Sequence, residues 1–112
     1  MFYQSEEINV TVFINDEHMP AVTQVDIDFE REIVDSTVDK NKCKYLATIT
    51  RYLPVGVEVD NLYNLQNFGV IVNDSWISIG MFNCEWTSFK RKVTADGVIE
   101  IMTFISSHVQ VN

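Results

Sequence analysis

The residues of this chain with chemistry to offer are two histidines, two cysteines, a run of alternating carboxylates and one basic triplet. Neither His18 nor His108 has a second metal-type residue at ligand spacing, so they do not make a zinc site, and both are read as surface residues. Cys43 and Cys84 lie far apart, and one such pair is no disulfide framework. No local signature joins either thiol to a histidine as an activated nucleophile. Asp26-x-Asp28-x-Glu30 has the look of a calcium loop but lacks the turn glycine and the distal bidentate Glu; strand alternation explains it better. Lys90-Arg91-Lys92 beside Phe89 could touch phosphate, or equally a neighbouring molecule's carboxylates. There is no glycine-rich phosphate loop and no nucleophile elbow. The chain is therefore read as non-enzymatic, with no cofactor and no metal.

At 112 residues, 46% of them apolar, the chain has the material for one domain (1–112) with one real core. Seven Phe, four Tyr and two Trp supply the bulk, and only four Gly and two Pro argue against disorder or fibrous repeats. The net charge of -8 disfavours tight, sequence-independent binding of nucleic acid. The charge is also uneven. Residues 1–39 carry one base, Arg31, against ten acids, whereas residues 40–51 carry Lys40, Lys42, Lys44 and Arg51 and no acid. Such separation suits head-to-tail packing of identical copies; the plainer reading is two solvated loops of opposite sign. No basic stretch leads into an apolar core of signal type, and no apolar run approaches a membrane span. The sequons at Asn9 and Asn73 are then chance matches.

The elements that must position these residues are mostly strands. Residues 1–7 read as a loose polar arm. Residues 8–15 alternate, turn at Asn15-Asp16, and lead past Pro20 into the cleanest alternation in the chain, 22–32. There Val25, Ile27, Phe29 and Ile33 point inward. Asp26, Asp28, Glu30 and Glu32 form an acidic stripe outward, either a solvated strand face or an acidic wall lining a water-filled bore. Val34, Asp35, Ser36, Thr37, Val38, Asp39, Lys40, Asn41 and Lys42 show no periodicity and read as a loop or protruding arm. Residues 43–53 resume as a strand with two semi-apolar faces, which suggests cover on each side. Asp60 could cap a short helix over 61–68, closed by Gly69, with Leu62, Leu65 and Phe68 at helical spacing. A strand from 69 follows.

Residues 74–111 are the most legible stretch. Ile77, Ile79 and Met81 face one way, and Trp76, Ser78, Gly80 and Phe82 the other. A polar break comes at Asn83, an extended run to Val93, a turn at Ala95-Asp96-Gly97 and a last strand to Ile105. The fold class predicted is an antiparallel β-sandwich or partly closed β-barrel with one short flanking α-helix.

The order of elements, with VTVFINDEHMPAVTQVDIDFERE near the start and ISIGMFNCEWTSFKRKVTADGVIEIMTF near the end, resembles the tail tube protein family of contractile-tailed phages and phage-like injection particles. The first segment is similar to that family's opening hairpin, and the second to its late strand, polar turn and closing strand. The resemblance covers most of the chain as pattern. It implies a structural virion protein whose sheets join edge to edge in hexameric rings, stacked into the inner tube that conducts DNA or an effector. It implies assembly in the bacterial host cytoplasm beside sheath and tape-measure proteins, with DNA as passing cargo and no membrane contact. By analogy the 34–42 arm would reach the next ring, the acidic stripe would be one candidate for the lumen wall and the 43–53 strand another. Lys44, Arg51, Lys90, Arg91 and Lys92 would form a basic inter-subunit edge. A related initiator, terminator or hub-proximal ring protein fits the same pattern. The rival from a different class is a monomeric β-sandwich that binds peptide or sugar on Trp76, Trp86 or Tyr63.

Overall fold

A computed structural model describes residues 2–5, 10–28, 45–56 and 62–112. Among these residues nine strands follow one another: β1 (Phe2–Ser5), β2 (Thr11–Ile14), β3 (Glu17–Met19), β4 (Val22–Asp28), β5 (Tyr45–Pro54), β6 (Phe68–Asn73), β7 (Ser78–Val93), β8 (Gly97–Ser106) and β9 (His108–Val111). All pairings are antiparallel, in the order β1-β4-β5-β8-β7-β6-β2-β3, with β9 also on β7. Among the described residues the path does not close, so the fold is mainly β and open rather than a sealed barrel.

The sixteen-residue β7 belongs to two leaves. Its second part, from Glu85, pairs with β8 in a front leaf with β5, β4 and β1. Its first part pairs with β6 and β9 in a back leaf with β2 and β3. The change of leaf occurs at Phe82-Asn83. Met81 and Cys84 are both buried, while Phe82 and Asn83 both face out, and Asn83 sits at φ 55°. One extra residue on one strand is a β-bulge, which bends the strand and lets it turn a corner between leaves. The polar break expected at Asn83 is this corner. Ser106 holds the facing strand there. Its hydroxyl lies 2.7 Å from the Phe82 carbonyl oxygen and 2.8 Å from that of His108, and it accepts the His108 N–H.

The leaves close on one core. Val25, Ile27, Ala47, Ile49, Met102 and Phe104 of the front leaf meet Val12, Ile14, Phe68, Val70, Val72, Ile79 and Met81 of the back. Phe68 is the hinge of the packing: it stacks on Trp86 at 4.4 Å and meets Phe104 edge-on at 5.7 Å. The alternation read from the sequence over 22–28 and 77–81 is the alternation found.

Two local expectations change. Residues 61–68 hold a single 3-10 turn, Leu62–Asn64, with Leu65 N–H bonded to the Leu62 carbonyl, and no α-helix is present among the described residues. The helical spacing of Leu62, Leu65 and Phe68 is overridden from both ends. Trp86 Nε1 donates to the Leu62 carbonyl at 2.8 Å, and Asn67, at φ 52°, breaks the chain into β6. The supposed loose arm is, over Phe2–Ser5, a strand paired with β4. Tyr3 secures it, buried, with its hydroxyl donating to Asp74 Oδ2 at 2.7 Å and so tying the front rim to the β6–β7 turn. A polar composition hid one aromatic anchor.

Turn chemistry fixes the rest. Asn15 and Asp16, at φ 49° and 67°, make the two-residue turn with both φ positive that matches strand twist. Asn15 Oδ1 also accepts the Gly69 N–H at 2.9 Å, which locks the turn to β6. Gly97 faces Pro54 across the β5–β8 ladder, so close that an added Cβ would collide with the Leu53 carbonyl.

Gly97→Ala is therefore expected to destabilise the domain by about 1–3 kcal/mol through forced backbone displacement, visible as a lower Tm in thermal unfolding. The Asp74 carboxyl is held below its ordinary value of 3.8, chiefly by the Tyr3 hydroxyl, then by the Ser75 N–H. A depressed carboxylate contributes stability that is fully present above the unfolded pKa and lost as pH falls through the folded one. Tyr3→Phe should raise the Asp74 pKa toward 3.8 by NMR titration, and the Tyr3→Phe stability deficit should shrink as pH drops below the wild-type value.

Candidate functional site: the outer face of the front leaf

Because Val25 and Ile27 are fully buried, Gln24, Asp26 and Asp28 point outward from β4. The register carries this face across the leaf. Asp26 opposes Thr48 of β5, Thr48 opposes Thr103 of β8, and Thr103 opposes Ser88 of β7. The parallel rows are Asp28, Leu46, Ile105 and Glu85 on one side, and Gln24, Thr50, Ile101 and Lys90 on the other. Asp26 and Asp28 of the acidic stripe and residues 45–53 of the 43–53 strand, from two separate candidates for a lumen wall, are thus neighbours on one surface. Glu30, Glu32, Lys44 and the whole 34–42 arm lie outside the described residues.

The surface is not a plain anionic wall. Gln24 Nε2 donates to both Asp26 carboxylate oxygens, at 3.3 and 3.0 Å, and the Thr48 and Thr103 hydroxyls pair at 3.3 Å. Asp26 and Asp28 sit on β4 beside the β1 rim, and Lys90 and Lys92 on β7 at the other rim together with Glu85, with hydroxyls and aliphatic side chains between. Among the described residues, β1 has a strand neighbour only in β4, and residues 85–93 of β7 only in β8, so each rim offers backbone groups on one side.

The basic edge read from the sequence divides. Lys90 and Lys92 are exposed on the outer face, but Arg51 is not an edge residue at all: it is 2% exposed. Its Nη2 and Nε reach Glu100 Oε2 at 3.1 and 3.3 Å, and Arg91 Nε reaches Glu100 Oε1 at 3.3 Å. Arg51, Glu100 and Arg91 lie on one rung of β5, β8 and β7, so a single buried carboxylate bonds three strands together. Sequence reasoning missed this because Arg51 follows the inward positions Ala47 and Ile49 by period two, a signal set aside in favour of its charge. Arg91 is half-exposed and lies over Phe89, its guanidinium carbon 5.2 Å from the ring centre.

The catalytic candidates come apart. Cys84 is buried and its thiol is pushed up to about 11 by burial, against the opposing effect of a hydrogen bond from Ser106, so it is no nucleophile near neutral pH. Cys43 lies outside the described residues. His18 meets Phe13 edge-on and His108 lies against Phe82, both at 5.7 Å, on the outer side of the back leaf. Among the described residues no group of three His, Cys, Asp or Glu is placed to hold a metal, and no helix is long and apolar enough to cross a membrane. Trp86 is stacked on Phe68 with its N–H engaged and is no sugar platform; Trp76 and Tyr63 are exposed.

No family model matches this sequence, and no curated protein matches it as a relative. Solved structures do match. A chain of the PVC sheath–tube complex, from an extracellular contractile injection system in its extended state, superimposes with a TM-score of 0.61 over 96% of this chain and 91% of its own length, at 14% identity. The chain has the fold of a contractile-tail component. The anti-feeding prophage cap, which terminates that particle's tube, matches at TM-score 0.58 and 15% identity, covering 93% of this chain and 87% of the other. The PVC sheath/tube terminator matches at 0.57 and 14%, covering 94% of each. At these identities the likeness is one of fold.

Removing one member of the buried rung leaves a charge without its partner. Glu100→Ala is expected to cost about 3–5 kcal/mol in urea unfolding. Arg91→Ala should cost far less, because half of that side chain already faces water.

Proposed function

We propose that this chain is a structural, non-catalytic subunit that forms stacked hexameric rings around the bore of a contractile tail or phage-like injection particle, and that the bore conducts DNA or an effector. The observation that carries the reading is the outer face of the front leaf. It combines both candidate lumen strands and ends in two rims that each lack a second strand neighbour among the described residues. In a ring, the β7 rim with Lys90 and Lys92 would adjoin the β4–β1 rim of the next copy, with Asp26 and Asp28. Acids beside one rim, and two lysines against the single acid Glu85 at the other, favour a repeating contact over a self-complementary one. The fold shared with sheath–tube and terminator proteins supports it. On this reading the partners are further copies, tail sheath and tape-measure proteins. The subunit belongs to the virion tail after assembly in the host cytoplasm.

A tube terminator is the second reading, favoured because two of the matching structures are described as a tube-terminating cap and a sheath/tube terminator. Negative-stain microscopy of concentrated protein separates the two: long tubes mean a tube subunit and single closed rings a terminator. A strictly monomeric species at high concentration would exclude both and return the question to a binding module. Shortening 34–42 should leave the fold intact and halt stacking at single rings. Charge reversal at Asp26, Asp28 and Glu30 should permit assembly and slow cargo transit, measured as ejection or infectivity; unchanged transit would show that the stripe does not line the bore.

A further inference from the structure

The two rims of the front leaf run the same way. Every pairing across β1-β4-β5-β8-β7 is antiparallel, so these strands alternate in direction and the last points as the first does. The register shows this residue by residue. Phe2 shares a row with Asp28 and Glu85, and Ser5 shares one with Val25 and Phe89. Phe2 to Ser5 and Glu85 to Phe89 therefore climb the leaf together. Without β1 the rims would be β4 and β7, which run in opposite directions.

One residue keeps β1 in the leaf. A four-residue edge strand is short, and this one is held by more than its ladder. Tyr3 is buried against the core, and its hydroxyl donates to Asp74 Oδ2. Asp74 in turn accepts the Ser75 N–H at Oδ1 and donates its own N–H to the Ile77 carbonyl. The strand that sets the direction of one rim is thus tied to the turn that leads into β7, the strand that forms the other.

We infer that copies of this chain join through a parallel ladder between β7 of one copy, along residues 85–93, and β1 of the next, in a leaf whose own pairings are all antiparallel; the inference rests on the ring reading above. Rotation about a bore axis carries each strand onto a copy that points the same way along that axis. A β7 rim set against the β1 rim of the next copy is then a parallel pair. A two-fold contact between like rims, with the outer face kept on one side, is instead an antiparallel pair of β7 with β7 or β1 with β1. Strand direction at the joint therefore separates a ring from a two-fold dimer. Both rims carry the backbone groups that the ladder needs, since each has a strand on one side only among the described residues. Parallel ladders use evenly spaced, slanted hydrogen bonds and meet those groups as antiparallel ones do. Sheets of mixed direction are common. The joint also sets β7 of one copy two strand spacings, about 10 Å, from β4 of the next. That separation lets Lys90 and Lys92, against the single acid Glu85, act on Asp26 and Asp28.

Cysteine cross-linking of assembled protein tests the direction. The background is Cys43→Ser, with the buried Cys84 left in place. Copies with Phe2→Cys or Gln4→Cys are mixed with copies carrying Glu85→Cys, Ser88→Cys, Lys90→Cys or Lys92→Cys, and the oxidised pairs are identified by mass spectrometry. In a parallel joint the β7 partner of Gln4 lies about two residues further towards Val93 than the partner of Phe2, whatever the register. If a cysteine on β1 halts assembly, Asp28→Cys and Asp26→Cys, in the rows of Phe2 and Gln4, give the same order with a linker long enough to cross one strand. A reversed order, or rings that give no cross-link between β1 and β7, overturns the parallel joint and leaves the ring reading standing. If only like strands cross-link, in a two-subunit species, or if nothing assembles, the ring reading fails and the joint with it.

Discussion

The structure depends on one strand being forced to serve two leaves. A sixteen-residue strand far exceeds what a small sandwich can keep straight, and β7 resolves the problem by a bulge at Phe82-Asn83. Everything around the bend is arranged to keep it. Cys84 fills the inside of the corner, Ser106 bonds the outside carbonyls, and Phe68 braces it by stacking on Trp86 just beyond. A second slip in register, between Trp86 and Ser88, returns Phe89 to the inner face. The β8–β9 segment follows the same path opposite, so the hairpin bends as a unit.

This bend decides what the front leaf can present. By turning β7 down beside β8, it leaves residues 85–93 with a strand on one side only among the described residues, at the rim opposite β1. The buried rung of Arg51, Glu100 and Arg91 then stiffens the three strands nearest that rim. A buried ion cluster is weak support for stability as such, since apolar replacements often do as well. Its value here is directional: Glu100 has two oxygens and reaches one base on each neighbouring strand, which fixes the register of β5, β8 and β7 together.

Much of this was legible in the sequence, and the failures share a cause. Period-two alternation identified the strands, and Asn15-Asp16 and the turn at Gly97 were readable from residue type. Misreadings arose where one side chain outweighed local pattern. Tyr3 made a strand of a polar arm by reaching Asp74. Trp86 removed a helix by claiming the Leu62 carbonyl. Glu100 drew Arg51 inward. All three are contacts distant in sequence, invisible to any window along the chain. The candidate face had a further obstacle: the stripe and the 43–53 strand could each be proposed for the bore, but only register shows that Asp26 and Asp28 adjoin β5, and only the whole leaf shows hydroxyl and aliphatic rows diluting the carboxylates.

The interior position of Cys84 has a practical consequence. A thiol with no exposed surface and a pKa near 11 reacts with alkylating reagents only when its surroundings come apart. It lies at the inside of the corner, so its modification rate follows the lifetime of the bent hairpin. Modification of Cys84 therefore reports opening of the corner itself rather than fraying at a rim.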